Sequence, residues 1–201
     1  MRLLLVRHGE TVWNSQRRVQ GGAVDTALSE AGQRQIARMA EVLRDEPVDV
    51  IVSSPLQRAV LTAQSIARYH PLPILTHPDL KEVNVGEFDG LCTLDIPQTF
   101  TEMLLEWWKC GRERLPGGES FQELQDRTWG VVKPYVETRS HENVLVVSHY
   151  FTTLSIILKA MDFPMSMMTK FRMDPGCINV LEFGKFGARL ARFNDTSYQV
   201  V

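Results

Sequence analysis

Cysteine is scarce in this chain, with three in 201 residues: Cys92, Cys110 and Cys177. They lie far apart and make no CxxC or Cys/His ligand spacing. That excludes a disulfide framework and a zinc-finger-type site, and it leads to an expectation of free thiols in a reducing compartment, the cytoplasm. Long apolar runs are missing as well. The N-terminal run Leu3-Leu4-Leu5-Val6 is four residues long and leads straight into charge, so neither a membrane span nor a signal peptide is expected. Charge of one sign is not in surplus: 22 basic residues face 24 acidic ones, with no long like-charge block, and nothing asks for nucleic acid or an anionic membrane. HExxH, EF-hand and P-loop patterns are absent, so the sequence offers no metal or nucleotide-cofactor site. There is no internal repeat and no low-complexity linker.

What is present suits one α/β domain with a full core, at 44% hydrophobic residues. Short β-rich runs alternate with amphipathic helices, which predicts a three-layer α-β-α arrangement around a mainly parallel sheet. Predicted strands are Leu3–Arg7, Val48–Ser53, Pro73–Thr76, Val144–Ser148, Ile178–Phe183 and Arg189–Phe193. Between Ser29 and Asp45, residues Ile36, Met39, Ala40 and Leu43 share one helical face. Ser54-Pro55 reads as a cap and first-turn proline for a helix burying Leu56, Ala59, Val60, Ala63 and Ile66. Ser120-Phe-Gln-Glu123 is a capping box, followed by a helix that Gly130 and Pro134 weaken. The stretch 92–118, with Trp107-Trp108 and Pro116-Gly117-Gly118, fits the sheet pattern poorly and reads as a helical, lid-like insertion. Its aromatics either face substrate or simply pack on the core.

Chemistry concentrates where apolar strands end. Arg7-His8-Gly9-Glu10 follows Leu3–Val6, and a cation at the end of a buried strand needs a partner. Thr11 is a plausible N-cap for the helix that follows, and strand, turn and helix together form an anion-binding arrangement. Val144–Ser148 ends in His149 in the same way, so two imidazoles can meet at the carboxyl edge of one sheet. His70, His77 and His141 lack that setting and read as surface residues. Arg58 falls in a helix's first turn, where a cation is disfavoured unless a bound anion or a nearby carboxylate offsets it. The loop 80–91 offers Glu82, Glu87 and Asp89 as proton donors, and spacing alone does not choose among them.

The run Leu5-Val-Arg-His-Gly-Glu-Thr11 with Asn14 resembles the signature of the histidine phosphatase superfamily, the phosphoglycerate mutase-like proteins. Further similarity lies in Ser53-Ser-Pro-Leu-Gln-Arg58-Ala, Leu28-Ser-Glu-Ala-Gly32, Pro116-Gly-Gly-Glu-Ser120 and Arg192-Phe-Asn-Asp-Thr196, nearly the whole chain. The resemblance implies a phosphoglycerate mutase-like fold and transient phosphorylation of His8. It implies phosphate contacts from Arg7, Gly9, Asn14, Gln20, Gly21, Arg58 and His149, and it selects Glu82 as the proton donor. In this chemistry Arg7 and Arg58 hold His8 neutral and grip the phosphoryl oxygens, a protonated His149 adds a donor, and no metal or other cofactor is required. Substrates of this family are small phosphomonoesters, among them sugar phosphates, phosphoglycerates and α-ribazole 5′-phosphate. Many members are dimers, so a homodimer stays open. A short chain with these patterns is expected to be a phosphatase, with phosphoglycerate mutase as the alternative. One departure stands out: Tyr150 follows His149 where the family usually has glycine. Its ring either walls the pocket, offers a hydroxyl to substrate, or points away. A catalytically weak phospho-ligand or protein-binding relative is the third reading.

Overall fold

The computed structural model describes residues 1–94, 98–111 and 113–199, apart from the side chains at 99, 100, 104 and 108–110. The Trp108 and Cys110 side chains singled out above therefore lie outside the described residues. Six strands, β1 (Arg2–Arg7), β2 (Val50–Ser53), β3 (Ile74–Thr76), β4 (Asn143–Ser148), β5 (Ile178–Gly184) and β6 (Gly187–Asp195), form one sheet in the order β3-β2-β4-β1-β5-β6. The first four are parallel neighbours, as expected, whereas β5 and β6 are antiparallel. The sheet is thus mixed. The mainly parallel sheet expected from the sequence carries an antiparallel hairpin at one edge, closed by the turn Gly184-Lys-Phe-Gly187, where Gly187 takes φ +100°, a conformation that suits glycine.

Strand alternation divides the interior in two. Leu3, Leu5, Val144 and Val146 point into one core, and Leu4, Val6, Leu145 and Val147 into the other. Helices α2 (Glu30–Val42) and α3 (Gln57–Ala67) supply Met39, Ala40, Ala59, Ala63 and Ile66 to the second core. Helices α5 (Phe121–Thr138) and α6 (Tyr150–Ala160) cover the opposite face through Leu124, Val132, Leu154 and Ile157. A run such as Leu3–Val6, buried on both sides, is what a parallel strand covered twice requires.

Local signals place the ends of these elements. Ser29 caps α2, its hydroxyl accepting from Gly32 N at 3.0 Å. The Ser120–Glu123 capping box forms at α5, which runs through Gly130 and Pro134 to Thr138. Thr11 and Asn14 make a second capping box on the short α1 (Val12–Ser15). One cap is corrected: α3 begins at Gln57 with Leu56 as its cap residue, so Ser54 and Pro55 lie ahead of the helix. The insertion contributes a helix, α4 (Gln98–Cys110), packed against the 3₁₀ segment Met165–Lys170. Among the described residues no helix is long and apolar enough to cross a membrane.

Candidate active site

β1 and β4 are in-register parallel neighbours with Arg7 beside Ser148, so the residue after each strand emerges at the same edge. His8 N donates to Ser148 O at 3.0 Å, and the His8 and His149 rings meet edge-on with centroids 5.1 Å apart. His8 is 3% exposed. Its Nδ1 lies 2.7 Å from Gly9 O, so Nδ1 carries the proton and Nε2 keeps the lone pair. Gly9 is needed for close approach: a Cβ there would fall 2.8 Å from Gly32 O of α2. Burial pushes the imidazole pKa well below its ordinary value, and the charges of Arg58 and then Arg7 push in the same direction. The sequence reading named the cations and missed the larger contribution of burial.

A cavity of about 590 Å³ opens over His8. Arg7, Asn14, Gln20, Glu82 and Tyr150 reach its wall, while Gly9, Gly21, Arg58 and His149 are not part of its lining. Arg7 Nη1 donates to Met173 O at 2.5 Å, and its buried Nε–H has no protein partner. That orphaned donor on the residue before His8 has the chemistry to meet an anion. Arg58, 1% exposed, is more heavily engaged. It donates to Val24 O (2.9 Å), Asp25 Oδ1 (3.2 Å), Gly21 O (3.1 Å) and, through Nε, His149 Nδ1 (3.3 Å). These bonds leave one Nη2 N–H. The bound anion inferred at this first-turn arginine is therefore not required, because Asp25 supplies the carboxylate and also accepts from Gln57 N at the start of α3.

His149 is fully buried. Since Arg58 donates to Nδ1, the proton sits on Nε2, which donates to Ser54 Oγ at 2.8 Å. Burial, followed by Arg58, His8, Arg7 and Arg127, holds its pKa well below 6.5, so the ring is neutral. In this arrangement it orients Arg58 and has no N–H free for a phosphate. A sequence reader could not have found Ser54 as its partner, because that hydroxyl has the look of a helix cap.

Glu82 is 5% exposed. Its carboxyl accepts from Val83 N (2.9 Å), Phe151 N (3.1 Å) and Thr152 N (3.2 Å), the last two at the start of α6. Burial raises its pKa, only partly offset by those amides and by Arg58 and Arg7. Arg127, also unforeseen, clamps the loop, donating to Asp79 O, Lys81 O and Glu82 O while pairing with Glu119. Of the other candidates, Glu87 is exposed. Asp89 is half-buried, accepts from Gly21 N at 2.8 Å and has a buried, unpartnered Oδ2.

Asn14 Oδ1 is occupied by Thr11 N at 3.1 Å, and Gln20 spans Thr11 Oγ1 (2.9 Å) and Thr26 Oγ1 (2.5 Å). Tyr150 takes the wall position. Its ring covers the Arg7 guanidinium at 5.2 Å, and its hydroxyl donates to Phe171 O at 2.8 Å, so the phenol proton is already used. It sits at the start of α6 with negative φ, free of the strain that glycine would relieve. His70 is corrected to a buried residue whose Nε2 bonds Leu43 O at 2.9 Å. Cys92 and Cys177 are free thiols, and burial pushes the Cys177 thiol up to about 11. Among the described residues no three His, Cys, Asp or Glu side chains cluster as metal ligands would.

Comparison with known proteins gives the chain a family. It is 33% identical over 199 residues to the bifunctional protein Rv2228c of Mycobacterium tuberculosis, covering 98% of this chain but 54% of that one. The chain thus spans about half the length of the first curated relatives it matches. It is 30% identical over 194 residues to the uncharacterized phosphatase PhoE of Bacillus subtilis, with 96% and 94% of the two chains covered. The solved structure of Bacillus stearothermophilus YhfR superimposes with a TM-score of 0.88 at 27% identity, covering 99% of each chain. A family model matches residues 3–196, and the chain belongs to the histidine phosphatase superfamily, branch 1.

Proposed function

We propose that this protein is a phosphomonoester hydrolase that works through a phosphohistidine on His8 Nε2. The observation that carries the reading is the pairing of a neutral imidazole, its Nδ1–H fixed on Gly9 O, with the orphaned Nε–H of Arg7 at the end of one cavity. The name of the PhoE relative supports the same class. His8 Nε2 attacks phosphorus, and the bond from phosphorus to the alcohol oxygen breaks. Arg7, with the remaining N–H of Arg58, takes the charge spread over the phosphoryl oxygens. Glu82, whose burial favours the protonated carboxyl, gives its proton to the departing oxygen. The resulting carboxylate then takes a proton from water as that water attacks phosphorus. The P–N bond breaks, inorganic phosphate leaves and His8 is neutral again. Asn14 borders the phosphoryl position, and His149 keeps Arg58 in place.

The test is hydrolysis of p-nitrophenyl phosphate in the presence of EDTA by wild type and His8→Ala, from mildly acidic to neutral pH. Turnover and an acid-labile phosphoenzyme are expected with the wild type alone. An active His8→Ala protein would end the covalent mechanism. Interconversion of phosphoglycerates without release of phosphate would replace the hydrolase by a mutase.

A further inference from the structure

The walls of the cavity point to the alcohol half of the substrate, an inference that rests on the phosphatase reading. The reacting end is polar and buried, with His8, Glu82 and Arg7 together. Beyond it one stretch of the described lining is apolar: Val85, Phe88, Trp107 and Leu115 are buried, and Tyr150 and Phe151 are half-buried, while Asn14, Arg18, Gln20, Thr93 and Thr101 supply the polar part of the lining. Along the apolar stretch and at Gln20 the polar atoms are already engaged. Trp107 Nε1 donates to Glu119 O at 3.1 Å, Tyr150 donates to Phe171 O, and both ends of the Gln20 amide are bonded. The two aromatic residues therefore offer ring surface and no hydrogen bond donor.

A polyhydroxylated alcohol laid along this apolar stretch would give up water for few partners, a cost per unpaired hydroxyl that works against its binding there. An apolar group gains in proportion to the surface it buries. A volume of about 590 Å³ is of the size that takes a drug-sized molecule, far beyond a three-carbon acid. We infer that the substrates of this chain are phosphomonoesters of bulky, apolar alcohols carrying an aromatic group. Sugar phosphates and phosphoglycerates, which the family resemblance put forward, gain little from this aromatic stretch.

Tyr150 and Phe151 also close the far side. The same two residues, with Met168, Thr169 and Phe171, line a second cavity of about 310 Å³. Tyr150 is pinned by Arg7, by Phe171 O and by an edge contact with Phe151 at 4.9 Å. It is thus a fixed partition, and it sets how long the aromatic group can be.

The experiment compares leaving groups of similar basicity, so that chemistry does not bias the order. Values of kcat/KM are measured for 2-(2-naphthyl)ethyl phosphate, glycerol 3-phosphate and phosphoserine. The naphthyl ester is expected to be favoured on the order of a hundredfold, chiefly through KM. In parallel, the wild-type protein is titrated with 2-naphthylmethylphosphonate and with phosphonoacetate, which need no turnover. Tighter binding of the naphthyl compound by a similar factor supports the inference even if p-nitrophenyl phosphate is not hydrolysed, an outcome that would sink only the hydrolase reading. Equal affinities, or a preference for the polar compounds in either assay, overturns the inference. Tyr150→Gly is expected to join the two cavities and extend acceptance to a tricyclic anthracenyl ester, and an unchanged size limit in that variant would remove Tyr150 from the proposal.

Discussion

The two buried imidazoles make stability depend on pH in a way that can be worked out with its sign. An imidazole in the unfolded chain titrates near 6.5, whereas His8 and His149 in the folded protein titrate well below that. As pH falls below 6.5 the unfolded state takes up protons that the native state refuses. Stability is therefore full above the unfolded value and declines as pH falls toward the folded ones. The geometry gives the reason at His149: a proton on Nδ1 would face the N–H of Arg58 3.3 Å away, while Nε2–H is already used on Ser54. Each group contributes up to about 1.4 kcal/mol per pH unit in this range. Between pH 7.5 and 5.5 the pair should thus withdraw about 2–3 kcal/mol, or roughly 5–10 °C in Tm for a chain of this size. Glu82 works in the opposite sense. Its pKa is raised, so its contribution is full below the ordinary carboxyl value and is lost as pH rises through the folded one. Glu82→Gln removes that opposing part. Urea unfolding at pH 7.5, 6.5 and 5.5 is the assay, with His149→Gln and His8→Ala for comparison. Each single variant should lose about half of the wild-type decline. A Glu82→Gln protein equally stable at all three pH values, or histidine variants that keep the whole decline, would refute the picture of two neutral, proton-refusing rings.

Two other outcomes follow from the acid loop. Glu82→Gln should slow alkyl phosphates by about 10²–10³, the range of general acid catalysis, and p-nitrophenyl phosphate by less than about tenfold, since that leaving group needs little protonation. Equal losses would remove Glu82 as the acid. Arg127→Met strips donors from three backbone carbonyls and leaves the Glu119 carboxylate with its Asn84 amide partner, the pair being 21% and 15% exposed. We expect about 2–4 kcal/mol of destabilisation in urea. The ratio of alkyl to aryl turnover should fall with it as Glu82 loses its anchorage. A change in stability with no change in that ratio would show that the clamp does not position the acid.

The parts of this molecule visible in sequence were those governed by local rules. Strands β1 and β4 announced themselves by apolar runs ending in His8 and His149. Ser29, Thr11 and the Ser120–Glu123 box marked their helices through short-range hydrogen bonding. What could not be read depended on distant partners. Asp25 lies thirty-three residues from the guanidinium it satisfies, and Arg127 lies forty-five from Glu82. Ser54 carried the local signal of a cap, but its hydroxyl serves an imidazole 95 positions away. His70 was placed on the surface because nothing nearby in sequence shows that Leu43 O will meet it. The antiparallel hairpin β5–β6 did have a signal, the paired glycines at 184 and 187, but six well-spaced strands favoured a parallel reading.

The register between β1 and β4 separates two inheritable properties of this protein. His8 and its neighbouring imidazole are fixed by the two central strands, where a shift of one residue would turn every side chain to the wrong face. Much of the rest of the cavity wall comes from α4, the segment after β3 and the first turn of α6. Changes there leave the strand pairing untouched. Such a layout uncouples the two: replacements on the cavity wall, Tyr150 among them, can reshape the space in front of His8 without disturbing the strand pairing that holds it.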